Sequence, residues 1–315
     1  MQAYYLRTVL GDIPVKKLGL ILPHEHLFTD LRGPDVSDYA QADPDHVATV
    51  MVPYLEMAHR VGVTVLVECS TIGVGRNIDI LRKLAAQTPI HLLVPTGLYK
   101  AEFTPRIYLD QTVEEMADLW ELEITKGIGI SQSKAGFIKI AMSDDGPLNI
   151  EVRNLRAAAR ASKATGAAIA SHTIGGKVAM KELDILSGEG LNLNRFIWVH
   201  ADSEEDHAFH LQAASNGVYV EFDSIGNPTI DPEKTLSNII TMIDAGYAEK
   251  ILLSHDSGWY QPGHPGGQPE HGIRGFTTLT EHFIPRLRAK GLNDATINLL
   301  TVENPKRAFA LHLGG

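Results

Sequence analysis

Short apolar runs alternate with longer amphipathic segments along the whole chain. Each run is rich in branched apolar residues, which is typical of parallel strands that are buried on both faces of a sheet. The pattern predicts eight strands, which are Leu18–Pro23, Val63–Glu68, His91–Thr96, Gly136–Ile140, Ala167–Ser171, Arg195–Val199, Val218–Phe222 and Lys250–Ser254.

The other segments have the apolar periodicity of helices, and Asp or Thr precedes several of them as an expected N-cap. The predicted helices are Pro44–Arg60, Ile78–Ala86, Thr112–Thr125, Ile150–Ala164, Lys177–Leu186, Glu204–Ala214, Pro232–Ala245 and Gly275–Lys290. Eight strand–helix units in 315 residues favour a closed (β/α)8 TIM barrel of the α/β class over an open doubly wound sheet. No GxGxxG motif follows the first strand, which weakens the alternative of a dinucleotide-binding domain.

A single domain is expected for the whole chain, residues 1–315. Its parts are a short hairpin at 3–17 that closes the barrel floor, barrel strands within about 18–256, a lid loop at 257–274 and C-terminal helices within 275–313. The last of these regions is predicted to add one or two extra helices, at 293–313, to the eight of the barrel.

Charge and hydropathy limit the partners of the chain. With 28 basic and 38 acidic residues the net charge is −10, and no basic cluster offers a surface to nucleic acid. No apolar run is long enough to cross a membrane, and the first residues lack the apolar core of a secretory signal. We therefore expect a cytoplasmic protein that acts on a small molecule. The one cysteine, Cys69, excludes an internal disulfide and is expected to be a small core residue.

Residues that can bind metal ions occur where the predicted strands end. The carboxyl ends of barrel strands meet at one mouth, where barrel enzymes carry their chemistry. These residues are His24 and His26 after the first strand, Lys139 near the end of the fourth, His172 after the fifth, His200 after the sixth and Asp256 after the eighth. One strand-end histidine alone is more often an ordinary polar residue. The joint pattern favours a metal site.

The residue types suit two divalent cations, because zinc-like metals prefer imidazole and carboxylate ligands. In an extended strand His24 and His26 point the same way and can bind one ion together. His172 and His200, from adjacent strands, can hold a second ion. Asp256 can orient an attacking hydroxide and later accept its proton.

Lys139 is the least usual member of this set, because two cations would repel an ammonium group. A lysine can also simply extend its charge to a strand end. Burial favours the neutral amine, and a neutral amine can add carbon dioxide to become a carbamate. The carbamate has two oxygens that can bridge two metal ions. We therefore expect an N6-carboxylated Lys139 in the loaded site.

Nine segments, in order along nearly the whole chain, resemble the phosphotriesterase-related branch of the amidohydrolase superfamily. They are LGLILPHEHLF (18–28), ECSTIGVGRN (68–77), PTGLY (95–99), AGFIKI (135–140), IASHT (169–173), WVHAD (198–202), ILLSHD (251–256), FIPRLRAKG (283–291) and VENPKRAF (302–309). The resemblance implies a binuclear hydrolase. Zinc is the expected metal, with manganese, cobalt or iron as alternatives, and a homodimer is the expected assembly.

The same resemblance implies a role for each ligand. The more buried ion would be bound by His24 and His26 with Asp256 beside it, and the more exposed ion by His172 and His200. Carboxylated Lys139 would bridge the ions together with a hydroxide. That hydroxide would attack a carbonyl or phosphoryl centre, and Asp256 would accept the proton.

The resemblance is less specific about the substrate. Efficient phosphotriesterases have a His after the seventh strand and a Trp after the third, where this chain has Ser224 and either Leu98 or Tyr99. A tyrosine in the third loop resembles the lactonases, although their arginine after the seventh strand is also missing. We expect hydrolysis of a sugar or acyl lactone, with or without a phosphate. The alternatives are phosphotriester or phosphoester hydrolysis, amide hydrolysis and, least favoured, an inactive metal-binding barrel.

Residues near the predicted mouth are candidates for substrate contact. The loop Ser257–Arg274 is rich in Gly and Pro and is predicted to form a lid, with Trp259 and Tyr260 as apolar walls. Lys100 and Arg274 are predicted to bind an anionic substituent, although a surface cation or a structural ion pair is an equally good reading of each.

Three further residues complete the expectations for the site. Asp223 is expected to contact the substrate or to stand behind a ligand. Glu68 is expected to orient a ligand imidazole. His255 is expected to pack behind the barrel wall, because it alternates with Asp256 along the strand.

Overall fold

The computed structural model describes residues 4–312. Parallel strands run through it close to the predicted bounds, as β3 Leu20–Phe28, β4 Val63–Glu68, β5 His91–Leu93, β6 Pro95–Thr96, β7 Phe137–Ala141, β8 Ile169–His172, β9 Phe196–Val199, β10 Tyr219–Phe222 and β11 Ile251–Leu253. Four further strands of the described residues are β1 Tyr4–Thr8, β2 Gly11–Pro14, β12 Gly258–Tyr260 and β13 Leu311–His312. The prediction of an α/β fold with parallel strands is confirmed.

The parallel strands form a six-stranded sheet, in the order β11-β10-β9-β8-β7-β6, and a four-stranded sheet, in the order β12-β3-β4-β5. The two sheets meet within the predicted third strand, which is divided between β5 and β6. Pro95 has no N–H to continue the ladder at this point. At the other junction β11 and β3 are not paired as strands, although the N–H of Asp256 donates to the carbonyl of His24 at 3.2 Å. Hydrogen bonding therefore divides the predicted single barrel sheet into two.

The helices separate the strands as predicted, within a few residues. They are α1 Pro44–Arg60, α2 Ile78–Gln87, α3 Val113–Thr125, α4 Asn149–Thr165, α5 Gly176–Gly188, α6 His207–Ser215, α7 Pro232–Asp244, α8 Ile284–Ala289, α9 Asp294–Asn298 and α10 Asn304–Phe309. Side-chain caps explain several starts, since Asp43 opens α1 and Thr112 forms a capping box with Glu115 at α3. The sixth helix begins later than predicted, because Asp206 is its N-cap.

The other differences lie at the carboxyl-terminal side of the chain. The eighth helix starts with a π-helical turn, Leu279–Phe283, and not at Gly275. Inside the predicted lid loop, β12 pairs in parallel with β3, which gives that loop an ordered strand. The predicted hairpin is present as β1 and β2, and β13 adds a third strand to it, which the sequence did not indicate.

Two apolar clusters stabilise the fold. The larger one lies between the strands and the helices, and the smaller one contains side chains from parallel strands of both sheets, including Ile21, Val65, Leu93, Phe137 and Ile197. Leu6 of the hairpin and Phe309 of α10 belong to the smaller cluster. The hairpin and the last helix therefore fill the end of this inner cluster that lies away from the carboxyl ends of the strands.

An irregularity in β3 changes which side chains face inward. Leu22 pairs with Leu66 and Glu25 pairs with Glu68, so β3 has two residues between these pairs where β4 has one. Such a bulge shifts the alternation of side chains by one position. Strict alternation from inward-facing Ile21 would turn residues 23 and 25 inward. The extra residue places residues 24 and 26 there instead, and Glu25 on the outer face.

Within the described residues, no helix is both long and apolar enough to cross a membrane.

Candidate metal centre

Each of the six predicted ligands lies on or just beyond a parallel strand. Their positions are His24 and His26 within β3, Lys139 in the middle of β7, His172 at the end of β8, His200 directly after β9, and Asp256 three residues after β11. His200 and Asp256 have left-handed backbone conformations, with φ of 65° and 49°. Non-glycine residues rarely adopt such values outside sites where the surroundings impose them.

The side chains converge on one point. Asp256 Oδ1 lies 3.1 Å from His26 Nε2 and 3.5 Å from His24 Nε2. The rings of His172 and His200 are 4.4 Å apart between centroids, and those of His24 and His200 are 5.1 Å apart. His24, His200 and Asp256 each offer one ligand atom, and these three atoms lie within 4.8 Å of one another. This spacing brings the three side chains close enough to bind metal ions at one centre.

All four imidazoles are held through the same ring nitrogen. For His200, Nδ1 lies 2.8 Å from Asp223 Oδ1, and for His26 it lies 2.8 Å from Ser70 Oγ. The equivalent atom of His172 lies 3.1 Å from the hydroxyl of Tyr99. An acceptor at Nδ1 fixes the ring and leaves Nε2 free for a metal.

His24 differs from the other three imidazoles, since two carboxylates share its Nδ1. Glu221 Oε2 and Asp223 Oδ2 each lie 3.4 Å from that atom. Asp223 therefore contacts His24 and His200 together, and so links two of the predicted ligands.

The donor set fits divalent metal ions. The Nε2 atom of His172 is buried and has no hydrogen-bond partner among the described residues. An unpaired buried polar atom is costly, and a metal ion at this position would satisfy it. Burial, followed by the charge of His200, lowers the pKa of His172 well below its ordinary value, so this ring is a neutral donor.

The charge states of Asp256 and Lys139 also suit the binding of metal ions. Burial alone would raise the pKa of Asp256, but the hydrogen bond from His26 and the charges of the neighbouring imidazoles hold it well below its usual range. Burial lowers the pKa of Lys139, whose side chain is almost completely enclosed. Asp256 is thus anionic, as a metal ligand would be, and the lysine amine is moved toward the neutral form that can react with carbon dioxide.

Gly97 lets the chain pass closely beside Lys139. Its φ is +112°, and a Cβ built on it would lie 1.9 Å from the carbonyl oxygen of Lys139. No other residue fits this conformation and this space without movement of β7. The local sequence PTGLY therefore positions both Lys139 and the tyrosine that contacts His172.

A cavity of about 150 Å³ opens beside the six predicted ligands, which form part of its lining. Its other walls are Thr29, Leu31, Cys69, Val74, Tyr99 and Trp259. Of the predicted substrate contacts, Tyr99 and Trp259 are thus at the cavity. Tyr260 is not, because it stacks on Phe28 with a centroid separation of 5.9 Å, and its hydroxyl lies 2.8 Å from His46 Nδ1.

The predicted cations and the remaining acids have other partners. Lys100 forms an ion pair with Asp144 at 3.0 Å. Arg274 donates to the carbonyl of Asp256 at 2.6 Å and lines a separate cavity of about 500 Å³, of which Trp259 is also a wall. Asp223 is fully buried behind His200 and does not line the cavity over the ligands.

Glu68, expected to orient a ligand imidazole, and His255, expected to pack behind the barrel wall, are both buried and contact β3. One carboxylate oxygen of Glu68 accepts the N–H of Ser70 at 2.7 Å and is 3.8 Å from His26 Nδ1. Buried His255 lies 2.6 Å from Glu25 Oε1, on the outer side of β3.

Sequence reasoning did not identify Ser70 and Glu221 as partners of the ligands. Ser70 follows β4 among small polar residues and has no distinguishing feature in the sequence. Glu221 had a detectable signal, since it is a charged residue inside the apolar run VYVEF. A buried charge in such a strand requires a partner.

Comparisons with known proteins agree with this site. The Phosphotriesterase family model matches residues 4–309. A phosphotriesterase homology protein of Mycobacterium tuberculosis is 31% identical, over 96% of this chain and 97% of that protein. A phospho-furanose lactonase of Mycoplasmopsis synoviae is 30% identical, over 98% of this chain and 93% of that protein. A solved structure described as a weak promiscuous lactonase template for engineering organophosphate hydrolysis has a TM-score of 0.88 at 29% identity, covering 98% of this chain and 100% of that one.

The fold and the cluster of imidazoles and carboxylates define a metal-dependent hydrolase of the α/β class. The chain belongs to the phosphotriesterase family.

Proposed function

We propose that this protein is a binuclear metal-dependent lactonase, with its catalytic centre at the carboxyl ends of a closed (β/α)8 barrel. The whole chain would act as one hydrolase domain. The inner apolar cluster supports closure, because it joins strands of both sheets around one axis with Leu6 and Phe309 at one end. The bond from Asp256 N–H to the His24 carbonyl lies at one of the two junctions between the sheets.

His24, His26 and Asp256 would hold one ion, and His172 and His200 the other, with carboxylated Lys139 between them. Zinc is the proposed metal, because the set is rich in imidazole and contains no acidic cluster of the kind that selects magnesium or calcium. Such ions would supply Lewis acidity toward the substrate oxygen and would make water acidic enough to act as a nucleophile at neutral pH.

The protein's own groups have defined tasks in this proposal. Asp256, whose pKa is held low, accepts the proton that the attacking water loses and passes it to the leaving alkoxide. Asp223 and Tyr99 keep the rings of His200 and His172 in the orientation that ligation requires. Tyr99 and Trp259 enclose the substrate and keep bulk water from the reacting carbonyl.

The size and walls of the cavity favour a lactone over a phosphotriester. About 150 Å³ between Tyr99 and Trp259 suits a small flat ring, whereas a phosphotriester spreads three substituents around a tetrahedral centre. A longer substituent on the lactone would pass Trp259 into the neighbouring cavity of about 500 Å³, which Arg274 lines. The similarity to a phospho-furanose lactonase supports the same reaction class.

A lactone panel tests the proposal. The purified protein, supplied with zinc and bicarbonate, is assayed with acyl-homoserine lactones, free and phosphorylated sugar lactones and the phosphotriester paraoxon. We expect the highest kcat/KM with a lactone, and loss of that activity in Lys139→Ala. Metal-loaded protein that hydrolyses no lactone, or hydrolyses paraoxon faster than any lactone, would overturn the proposal in favour of phosphoester or amide substrates.

Comparison of the rates on different lactones of the panel also indicates where the substituent of the substrate binds. Preference for the phosphorylated sugar lactone over the free sugar, lost in Arg274→Met, would assign an anionic group to the second cavity. Preference for long acyl chains would assign an apolar one. The homodimer expected from the resemblance is tested separately, by light scattering coupled to size-exclusion chromatography, where it predicts twice the mass of one chain.

A further inference from the structure

The inner faces of the strands change from apolar to polar along β10. Alternation places Tyr219, Glu221 and Asp223 on the inward side of this strand. Tyr219 belongs to the inner apolar cluster, and Asp223 contacts the ligands His24 and His200. Glu221 lies between them, only 1% exposed, at the boundary between the apolar interior and the metal centre.

The hydrogen bonding of Glu221 is incomplete. Its Oε2 atom is 3.4 Å from His24 Nδ1, and its Oε1 atom is buried without a hydrogen-bond partner among residues 4–312. Asp223 already approaches the same ring nitrogen at an equal distance. The other three imidazoles each have a hydrogen-bonding neighbour at 2.8–3.1 Å from Nδ1.

A contribution to folding does not explain this arrangement. A buried carboxyl with one unpaired oxygen costs free energy, and an apolar side chain of similar shape commonly stabilises a protein at such a position. Glu182, by contrast, is fully buried and uses both oxygens, which accept hydrogen bonds from Ser171 at 2.5 Å and from Thr173 at 2.7 Å. The two buried glutamates therefore differ in whether their partners belong to the ligand set.

We infer that Glu221 is a positioning residue that holds His24 for the inner metal ion, and that it does so at a cost in the stability of the metal-free fold. Its Oε2 accepts the Nδ1–H of His24 and so directs Nε2 toward Asp256, which is 3.5 Å away. Because Asp223 also contacts His200, Glu221 supplies His24 with an acceptor that no other ligand shares. This inference rests on the proposed binuclear centre.

The test compares Glu221→Met, Glu221→Gln and the control Glu182→Gln with the unsubstituted protein. Methionine keeps the length of the side chain and removes the acceptor, whereas glutamine keeps a carbonyl oxygen for His24. Zinc-loaded proteins are mixed with excess chelator, and zinc release is followed with a chromogenic indicator. Cobalt-loaded samples are examined by visible absorption, and metal-free samples by thermal unfolding.

We expect Glu221→Met to release one of its two zinc ions about 10- to 100-fold faster, with an altered cobalt spectrum. Glu221→Gln should release zinc at a rate closer to that of the unsubstituted protein, and Glu182→Gln should match it. The metal-free form of Glu221→Met should melt at the same or a higher temperature. A merely structural role would predict a lower one.

The results separate this inference from the function on which it rests. An unsubstituted protein that binds fewer than two zinc ions per chain contradicts the binuclear centre itself. If two zinc ions bind but Glu221→Met releases them at an unchanged rate, only the role of Glu221 is contradicted. Failure of Glu221→Met to fold, or a metal-free melting temperature that falls in parallel with metal retention, also overturns it.

Discussion

The inside of the strand layer has two ends with different construction. At the carboxyl ends of the strands, four imidazoles, one carboxylate and a lysine surround a cavity, and two of the predicted ligands, His200 and Asp256, have left-handed backbones. At the opposite end, Leu6, Phe137 and Phe309 fill the space with apolar side chains, and the rings of Phe137 and Phe309 meet edge to face at 5.3 Å.

The difference separates stability from activity within one interior. Close packing of apolar groups stabilises the fold, whereas unpaired polar atoms and positive φ values reduce stability at the other end. Substitutions at the apolar end should therefore change unfolding and leave turnover unaffected, and those at the polar end should do the reverse.

Asp256→Asn should give the largest effect, and this effect should be mainly on turnover. Removing the proton acceptor is expected to lower kcat for the best lactone by about 10²- to 10⁴-fold. The unfolding temperature should fall only as far as the hydrogen bond from His26 and the charges of the neighbouring imidazoles stabilise the ionised Asp256 in the folded protein. Steady-state kinetics and thermal unfolding of the same sample measure both quantities. Comparable turnover in the variant would contradict the role of Asp256 in catalysis.

Phe309→Ala tests the opposite end. Loss of a buried aromatic ring should destabilise the protein by about 3–5 kcal/mol, measured by urea unfolding. At a temperature where the variant stays folded, kcat should equal that of the unsubstituted protein, since Phe309 lies in the apolar end of the interior. A selective fall in kcat at unchanged stability would show that the two ends are not separable.

The buried carboxyl of Glu182 makes the stability of the fold depend on pH. Burial raises its pKa from an ordinary 4.5 to about 8, although Ser171 and Thr173 donate hydrogen bonds to it. The folded state thus favours the protonated acid. The contribution of Glu182 to the stability of the fold is complete below about pH 4.5 and is lost as the pH rises toward 8. For Glu182→Gln, urea unfolding of the metal-free protein should give a gain of about 2–3 kcal/mol in relative stability between pH 5 and pH 8. If the stabilities of Glu182→Gln and of the unsubstituted protein changed in parallel with pH, the raised pKa of Glu182 would be disproved.

Ser70→Ala should give the smallest effect. It removes the hydroxyl that lies 2.8 Å from His26 Nδ1 and leaves the ring free to turn. Zinc affinity is expected to fall by about tenfold, at the lower end of the range for partners of metal ligands. Competition with a chelator measures this change. An equal loss in Ser70→Ala and Glu221→Met would contradict the distinction between hydroxyl and carboxylate partners.

The sequence predicted the strands, the helices and the six ligand candidates because all of these have local signals. Apolar runs define the strands, and the ligands come directly within or after them. What the sequence missed depends on contacts between distant segments. The pairing of β12 with β3 and the position of Tyr260 against Phe28 and His46 join residues far apart in the chain. Nothing within SGWYQPG indicates which aromatic side chain faces the ligands.

The partners of the predicted cations were missed for the same reason. Lys100 pairs with Asp144, and Arg274 holds the carbonyl of Asp256, so both cations have the structural contacts that the sequence offered as the alternative to anion binding, without naming the partners. Position in a loop gives the neighbourhood of a side chain but does not identify its partner. Hydrogen-bonding partners of the predicted ligands, such as Ser70, are likewise specified by three-dimensional packing.

The bulge in β3 makes the register of that strand against β4 a functional property. One additional residue between Leu22 and Glu25 turns His24 and His26 toward the cavity. Closing the bulge without removing a residue would restore strict alternation, so that both imidazoles would exchange faces with Glu25 although the composition of the strand did not change. The register of β3 against β4 therefore matters as much as the residues themselves, because loss of the bulge would turn two predicted ligands away from the cavity in one step.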